Sequence, residues 1–284
     1  MDGLVDYHVH TFRCGHAGGA TRDFVERAIA RGLSEIAITD HIPLYFLPES
    51  ERDPKLAMRE DQFDGYVAEV DALKREFAGT IAVRLGLEAD YAEGHEEELA
   101  RWLARADWDL VLGSVHWVAG GWIDAPGCAA RFEREGTDFL YDEYYRLLGK
   151  AARSGFFDVL THFDLPKKFG NRPSRPREAA EAEAIAAAKE GGCAVEISSA
   201  GLRKPVGEPY PEGRLLEKMD REPGPGRGKK NSRVGKSFMI YLREIGLDKN
   251  RATEVQRIAT IPDQVLTKRF QERASKGERK YAGR

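Results

Sequence analysis

Short apolar runs alternate with longer amphipathic stretches along most of this chain. The short runs have the length and the β-branched or Leu-rich content of buried strands, and apolar spacings of three and four between them predict helices. The six strand candidates are residues 4–10, 35–41, 81–90, 109–117, 157–165 and 193–201. Helix candidates include residues 21–33 with Thr21 as N-cap, 60–78, and 176–192 closing on Gly191. Alternating strands and helices predict β/α units that form a parallel sheet or barrel.

Composition places the chain among folded proteins of a reducing compartment. The 284 residues are 42% hydrophobic, which allows a substantial core. There is no run of 18 apolar residues, and the first residues lack the features of a signal peptide, so we expect no membrane contact and a cytoplasmic location. The three cysteines are odd in number and far apart, which favours reduced thiols over disulfides.

The charge changes sign near residue 214. Residues 1–213 carry 25 Lys and Arg against 38 Asp and Glu, a net −13, whereas residues 214–284 carry 19 against 9, a net +10. A stretch rich in Pro, Gly and basic residues follows the change. We therefore predict an α/β unit over 1–213, a linker over 214–237 and a basic helical tail of unknown role over 238–284.

Residues able to bind metal cluster where the predicted strands end. In a barrel the carboxyl ends of parallel strands share one rim, so these side chains should converge on one pocket. Six of the seven histidines lie at or just after these strand ends, with His16 in the turn after the first strand, and His95 alone looks like an ordinary exposed histidine. The strand-end residues are His8, His10, Asp40, His41, Glu88, Asp90, His116, His162, Asp164 and Glu196.

The N-terminal sequence VDYHVHTFRCGH (residues 5–16) contains three of these histidines. Alternation along a strand puts His8 and His10 on one face, and His16 follows in a Gly-containing turn. Metal binding and pairing with surface carboxylates are both open for this stretch by itself. Cys14, in the same turn, is either a minor ligand or a packed thiol.

Taken together, DYHVHTFRCGH, TDH, GLEAD, GSVHW and THFD resemble the PHP (polymerase and histidinol phosphatase) family over residues 4–213. The segments FDLPKKFG, SSAGLRKP and PYP are more similar to its stand-alone histidinol-phosphate phosphatases than to its polymerase domains. The resemblance implies a distorted barrel of seven β/α units with up to three divalent ions, Zn, Fe or Mn. It also implies hydrolysis of a small phosphate monoester, L-histidinol phosphate, in histidine biosynthesis.

The resemblance also implies roles for individual residues. His8 and His10 would hold a first ion, and Glu88 would bridge it to a second ion. Ligands of the other ions would be His116 and His162 for the second and His16 and His41 for the third. Neutral imidazoles and a carboxylate suit these metals on chemical grounds as well.

Other polar residues are candidates for substrate contact or proton transfer. Arg203 would clamp the phosphate, and Lys167 and Lys168 would add positive charge unless they form only a solvated turn. Glu196 faces either a substrate amino group or the barrel floor. The candidates for orienting imidazoles or capping strand ends are Asp6, Asp40 and Asp164, with Asp40 or Asp164 also a candidate proton donor.

The resemblance fails at its end. The family's last strand ends in a Ser-Asp-Ala-His type motif that completes the first and third metals, but no histidine follows His162 here. We therefore expect a barrel without its closing strand, two or fewer well-held ions, and reduced or lost activity. The alternative is an inactive barrel with a binding or regulatory role, whose basic tail contacts a partner or nucleic acid. An uncovered sheet edge also makes self-association an expectation.

Overall fold

A computed structural model describes residues 5–125 and 127–220, and the backbone of 257–259. Its main sheet has seven strands in the order β1-β2-β3-β4-β7-β8-β9, and every neighbouring pair is parallel except β8 and β9. The strands are β1 Val5–Val9, β2 Glu35–Ile38, β3 Ala82–Asp90, β4 Leu110–Ser114, β7 Val159–Leu160, β8 Ala194–Ile197 and β9 Arg257–Ala259. A separate hairpin joins β5 Trp117–Val118 to β6 Gly121–Trp122. All six predicted strands are therefore present.

Helices connect the parallel strands. They are α1 Thr21–Ala30, α2 Phe63–Glu76, α3 Glu96–Leu103, α4 Ala129–Arg131, α5 Thr137–Arg153, α6 Glu178–Gly191 and α7 Gly213–Asp220, with a π-helical turn Phe132–Gly136 between α4 and α5. Helix α2 packs on β3, and α5 packs along α6. This curled, mostly parallel sheet with helices is the α/β barrel type that the sequence predicts. No helix in the described part of the chain is both long and apolar enough to cross a membrane.

The inner face of the sheet carries a small apolar layer beneath a polar end. Leu110 and Leu112 of β4 are buried with Val159 and Ala194 in a cluster separate from the main core. Because side chains alternate along a strand, Ser114 lies on the same face as these leucines, one step nearer the carboxyl end. The apolar layer thus forms a floor, and polar side chains such as Ser114 lie directly above it.

Helix termini follow local rules that differ slightly from the predictions. Thr21 is the first residue of α1, not its N-cap; the cap is Ala20, whose backbone N–H donates to the Asp23 carboxylate. The Thr21 hydroxyl instead accepts from Arg13. Helix α6 ends at Gly191, and Gly192 follows with φ of 63°, a left-handed conformation that glycine adopts readily.

The chain beyond residue 213 differs from its prediction wherever it is described. Residues 213–220 form helix α7, with Leu215 fully buried and Arg214 and Lys218 paired with Glu181 of α6. Residues 214–220 are therefore packed helix, not linker. Arg257–Ala259 form a strand, not the predicted helix; it runs antiparallel to β8 and lies near β1. The rest of the predicted linker and tail, with any nucleic-acid contact or self-association through it, lies outside the described residues.

Candidate metal centre

Five strands bring their carboxyl ends to one place. His8 lies within β1 and His10 just after it, and His41 forms a bridge with Glu88 one strand across. His116 and His162 lie two residues after the ends of β4 and β7, respectively. The parallel arrangement puts all these ends on one edge of the sheet, as the sequence predicts.

Glu88 is the hub of this cluster. Its side chain is completely buried, and Oε2 lies 2.8 Å from His8 Nε2, 3.2 Å from His10 Nε2 and 3.3 Å from His41 Nε2. Oε1 lies 3.9 Å from His116 Nε2 and 3.8 Å from His162 Nε2, and it accepts a hydrogen bond from the Ser114 hydroxyl. Each carboxylate oxygen therefore lies close to a different set of imidazoles.

Two imidazoles are held from behind by buried carboxylates. His8 Nδ1 lies 2.8 Å from Glu196 Oε1, and His116 Nδ1 lies 2.7 Å from Asp90 Oδ1. A carboxylate at Nδ1 holds a proton there and leaves Nε2 as the nitrogen that can bind a metal ion. The Nε2 atoms of His8 and His116 are thereby directed at the oxygens of Glu88.

His16 reaches the cluster from a loop. Thr11 caps the short turn Phe12–Cys14, and Gly15 follows with φ of 75°. A Cβ at Gly15 would lie 2.9 Å from the backbone of Lys55, so only glycine fits this turn without strain. The His16 ring then lies 5.2 Å from that of His10 and 4.9 Å from that of His41, between ring centroids.

The charges of the cluster are strongly perturbed. Burial lowers the pKa of His8, but Glu88 and Glu196 outweigh burial and hold it well above its usual value. Burial is likewise outweighed at His116, where chiefly Asp90 raises the pKa to about 10. Burial lowers the pKa of His162 to about 4 and that of His41 well below its ordinary range. Glu88, despite burial, has a lowered pKa because His41 and His8 surround it.

The donor set fits divalent metal ions. His8 Nε2 lies 2.8 Å from Glu88 Oε2 and 3.1 Å from His10 Nε2. Nitrogen and oxygen atoms this close need a cation among them, which is a proton in the metal-free protein, as the raised pKa of His8 indicates, and a metal ion when one is bound. Four groups of three residues have ligand atoms within 4.8 Å of one another: His10, Cys14 and His16; His8, Glu88 and His162; His10, His41 and Glu88; and His41, Asp90 and His116. All seven sequence-predicted metal ligands belong to these groups, and His95 lies apart at the N-cap of α3.

The candidate proton donors have different surroundings. Asp40 is fully buried; it accepts from the Thr11 backbone N–H at 2.5 Å, from the Thr11 hydroxyl, and from the Cys14 thiol. Asp164 accepts from Lys167 Nζ at 2.6 Å and from the Glu212 backbone N–H at 2.9 Å. Its other oxygen, Oδ1, is buried without a partner among the described residues, and burial raises the pKa of this carboxyl. Asp6 accepts from the backbone N–H of His8 at 3.2 Å, and burial raises its pKa to about 7.

The candidate substrate residues divide between the interior and the rim. Lys167 is only 1% exposed and donates to the Pro209 carbonyl as well as to Asp164. Glu196 is equally buried behind His8, two residues beyond Ala194 of the apolar floor, and its Oε2 also accepts from the backbone N–H of His162 at 3.2 Å. Lys168 is half-buried and Arg203 is exposed, at the end of the turn Ala200–Arg203.

Sequence reasoning missed two residues of this site. Asp124 follows the β5–β6 hairpin and accepts from Lys168 Nζ at 2.9 Å, and His116 and Lys168 lower its pKa against the effect of burial. It ends no parallel strand, so strand-end reasoning could not find it. Ser114, which donates to Glu88, lies two residues before His116 in GSVHW, so strand alternation could have predicted it.

Fold and site together define an α/β barrel protein with a cluster of side chains able to bind metal at the carboxyl ends of its strands. The sequence matches the PHP domain family over residues 6–200, so the chain belongs to that family. A probable histidinol-phosphatase of Deinococcus radiodurans is 43% identical over 211 residues, which cover 74% of this chain and 79% of that protein. The histidinol-phosphatase of Bacillus subtilis is 27% identical over 226 residues, covering 70% and 81%.

Solved structures agree on the fold. The putative histidinol phosphatase of Listeria monocytogenes has a TM-score of 0.62 and 22% identity, covering 76% of this chain and 90% of that one. Histidinol phosphate phosphatase of Lactococcus lactis, solved with zinc, L-histidinol and phosphate, has a TM-score of 0.62 and 21% identity, covering 86% and 94%. The family resemblance and the barrel fold expected from the sequence are confirmed.

Proposed function

We propose that this protein is a metal-dependent phosphatase that hydrolyses L-histidinol phosphate to L-histidinol and phosphate. The observation that supports it most is the Glu88 carboxylate with five imidazole nitrogens directed at its two oxygens. We infer the substrate from two similar proteins: the Deinococcus relative is a probable histidinol-phosphatase, and the Lactococcus structure contains L-histidinol and phosphate. The product places the reaction in histidine biosynthesis.

The metal ligands follow from the two oxygens of Glu88. His8 and His10 would hold one ion with Oε2, and His116 and His162 would hold another with Oε1. His16 and His41 would hold a third, more weakly because His16 is exposed and comes from a loop. Zn, Fe or Mn would suit this nitrogen and oxygen set, and the zinc of the Lactococcus structure favours Zn. Divalent ions there would polarise the phosphoryl group and activate water at neutral pH.

Three cationic side chains suit the phosphate. Lys168 donates to the carboxylate and to the backbone carbonyl of Asp124. Arg203 and Lys204 are exposed at the end of the turn Ala200–Arg203. Arg203 and Lys168 would hold the phosphoryl oxygens, and Lys167 would act from behind by fixing Asp164.

Asp164 suits the leaving group better than Asp40 does. A carboxyl with a raised pKa and one unpartnered oxygen can carry a proton and deliver it to the departing alkoxide. The oxygens of Asp40 are occupied by Thr11 and Cys14. Asp40 would therefore orient the loop that carries His16.

The site would operate in the cytoplasm. All three cysteines are buried, and none forms a disulfide. Buried thiols kept out of disulfides are typical of a reducing compartment.

The test measures metal and turnover on the same samples. The full chain, purified without chelators, is analysed for metal content and assayed with L-histidinol phosphate, beside His116→Ala with His162→Ala, and His95→Ala as the control histidine. We expect at least two equivalents of metal and phosphate release in the wild type and in His95→Ala, and loss of both in the double variant. Metal-loaded wild type that releases no phosphate would exclude the phosphatase and favour the binding role.

A further inference from the structure

The thiol of Cys14 lies between a metal-cluster imidazole and a buried carboxylate. Its Sγ is 3.5 Å from His10 Nδ1 and 3.2 Å from Asp40 Oδ1, and the side chain is fully buried. The left-handed Gly15 that follows fixes where the turn ends and therefore where the thiol lies. Cys14 contacts the ring nitrogen of His10 that faces away from Glu88.

The protonation of this chain of contacts has one consistent solution. A carboxylate oxygen can only accept, so the contact between Cys14 Sγ and Asp40 Oδ1 at 3.2 Å uses the hydrogen of the thiol. The single S–H donates to Asp40 Oδ1, because the other acceptor, the Thr11 carbonyl, is farther away at 3.6 Å. The sulfur can then only accept from His10, so Nδ1 carries the imidazole proton.

Asp40 anchors the other end of the chain. Both of its oxygens are held by Thr11, one by the backbone N–H and one by the hydroxyl. Thr11 directly follows His10 on the chain. The sulfur is therefore tied, through Asp40, to the same short segment that carries the imidazole.

We propose that Cys14 is a positioning residue that fixes the tautomer and ring orientation of His10 for metal binding. The thiol does for His10 what Glu196 does for His8 and Asp90 does for His116: it holds Nδ1–H and leaves Nε2, 3.2 Å from Glu88 Oε2, to the metal. The inference rests on the proposed function, because it needs a metal at His10.

The test compares two buried cysteines in the full chain. Cys193 is the matched control: it is 4% exposed, and its Sγ lies 3.5 Å from the carbonyl oxygens of both Ala152 and Phe157. Zinc affinity is measured by competition with a chromophoric chelator, and thermal unfolding is measured on the same samples. We expect about a tenfold loss of zinc affinity in Cys14→Ala, as for other partners of metal-binding histidines. Cys14→Ser should regain most of it, since a hydroxyl donates and accepts, and Cys193→Ala should lower only the thermal stability.

Several outcomes would overturn the inference. Unchanged zinc affinity in Cys14→Ala, equal losses in Cys14→Ala and Cys193→Ala, or no recovery in Cys14→Ser would each remove the positioning role. A thiolate charge-transfer band in the cobalt-loaded wild type that Cys14→Ser abolishes would make the sulfur a ligand instead. A wild type that binds no zinc would remove the proposed function too, whereas tight zinc binding insensitive to Cys14 would remove this inference alone.

Discussion

Replacing Asp90 by Asn should weaken metal binding without removing a ligand proposed above. Asp90 Oδ1 lies 2.7 Å from His116 Nδ1 and 3.2 Å from the His116 backbone nitrogen, and both side chains are buried. An asparagine oxygen can take the same position and accept the same hydrogens. The substitution therefore removes the negative charge and keeps the shape.

The magnitude follows from the loss of that charge. A hydrogen bond to a charged group contributes about 1.5–3 kcal/mol and a neutral one about 0.5–1.5 kcal/mol. The difference of roughly 1–1.5 kcal/mol corresponds to about a tenfold weaker metal affinity. Asp90 is also the chief cause of the raised pKa of His116, about 10, so that pKa should fall in the metal-free variant.

Asp158→Asn is the control for this experiment. Asp158 is also buried and accepts from the backbone N–H of Val111 at 3.0 Å, on the sheet but outside the cluster. Chelator competition should show weaker zinc binding only in Asp90→Asn, and urea unfolding should show some loss of stability in both variants. Equal zinc affinities in the two variants would refute the idea that Asp90 tunes His116.

Three further substitutions test the helices α2 and α6. Gly191→Ala should destabilise the fold by about 1–3 kcal/mol or more in urea unfolding, since its Cβ would lie 1.9 Å from the Ala152 carbonyl oxygen; an unchanged midpoint would contradict the packing of α6 on α5. Gly65→Ala, in open space within α2, should stabilise it by about 0.5–1 kcal/mol, and a loss would mean that the position is not free. Glu181→Gln should cost about 1–1.5 kcal/mol at pH 7, the difference between charged and neutral hydrogen bonds. The Glu181 carboxyl has a lowered pKa, so it stabilises the fold fully above its unfolded pKa near 4.5. This stabilisation is lost as the pH falls through the lower folded pKa. A stability difference from wild type that persists at lower pH would contradict the ion pairs.

The barrel strands and the metal cluster were predictable because both depend on local pattern. Buried parallel strands leave apolar runs, and the residues at their ends share one edge by topology, which is enough to gather His8, Glu88 and His162. The position of Asp124 depends on how the β5–β6 hairpin folds back, and the path of a hairpin leaves no periodic signal in the sequence. Similarly, the buried pairing of Asp164 with Lys167 depends on side-chain packing. For this reason Lys167 reads in sequence as a rim residue, although it is buried.

The α/β unit extends beyond residue 213, where the sequence predicts a linker, for a physical reason. A change of net charge along the chain marks a change in surface composition. A helix can nevertheless carry basic residues and pack against a neighbouring helix if acidic side chains of that helix face it. Arg214 and Lys218 do so on Glu181, while Leu215 enters the core. Charge runs therefore locate domain ends less reliably than buried apolar positions do.

The use of both oxygens of a single carboxylate has a consequence for how metals would load. An ion held at Oε2 would restrain the rotation of Glu88 and so prepare Oε1 for the second ion. Loading should then be cooperative, with few singly occupied molecules at intermediate zinc concentrations. Removing either ion would loosen the other, so a weak chelator should strip the two together.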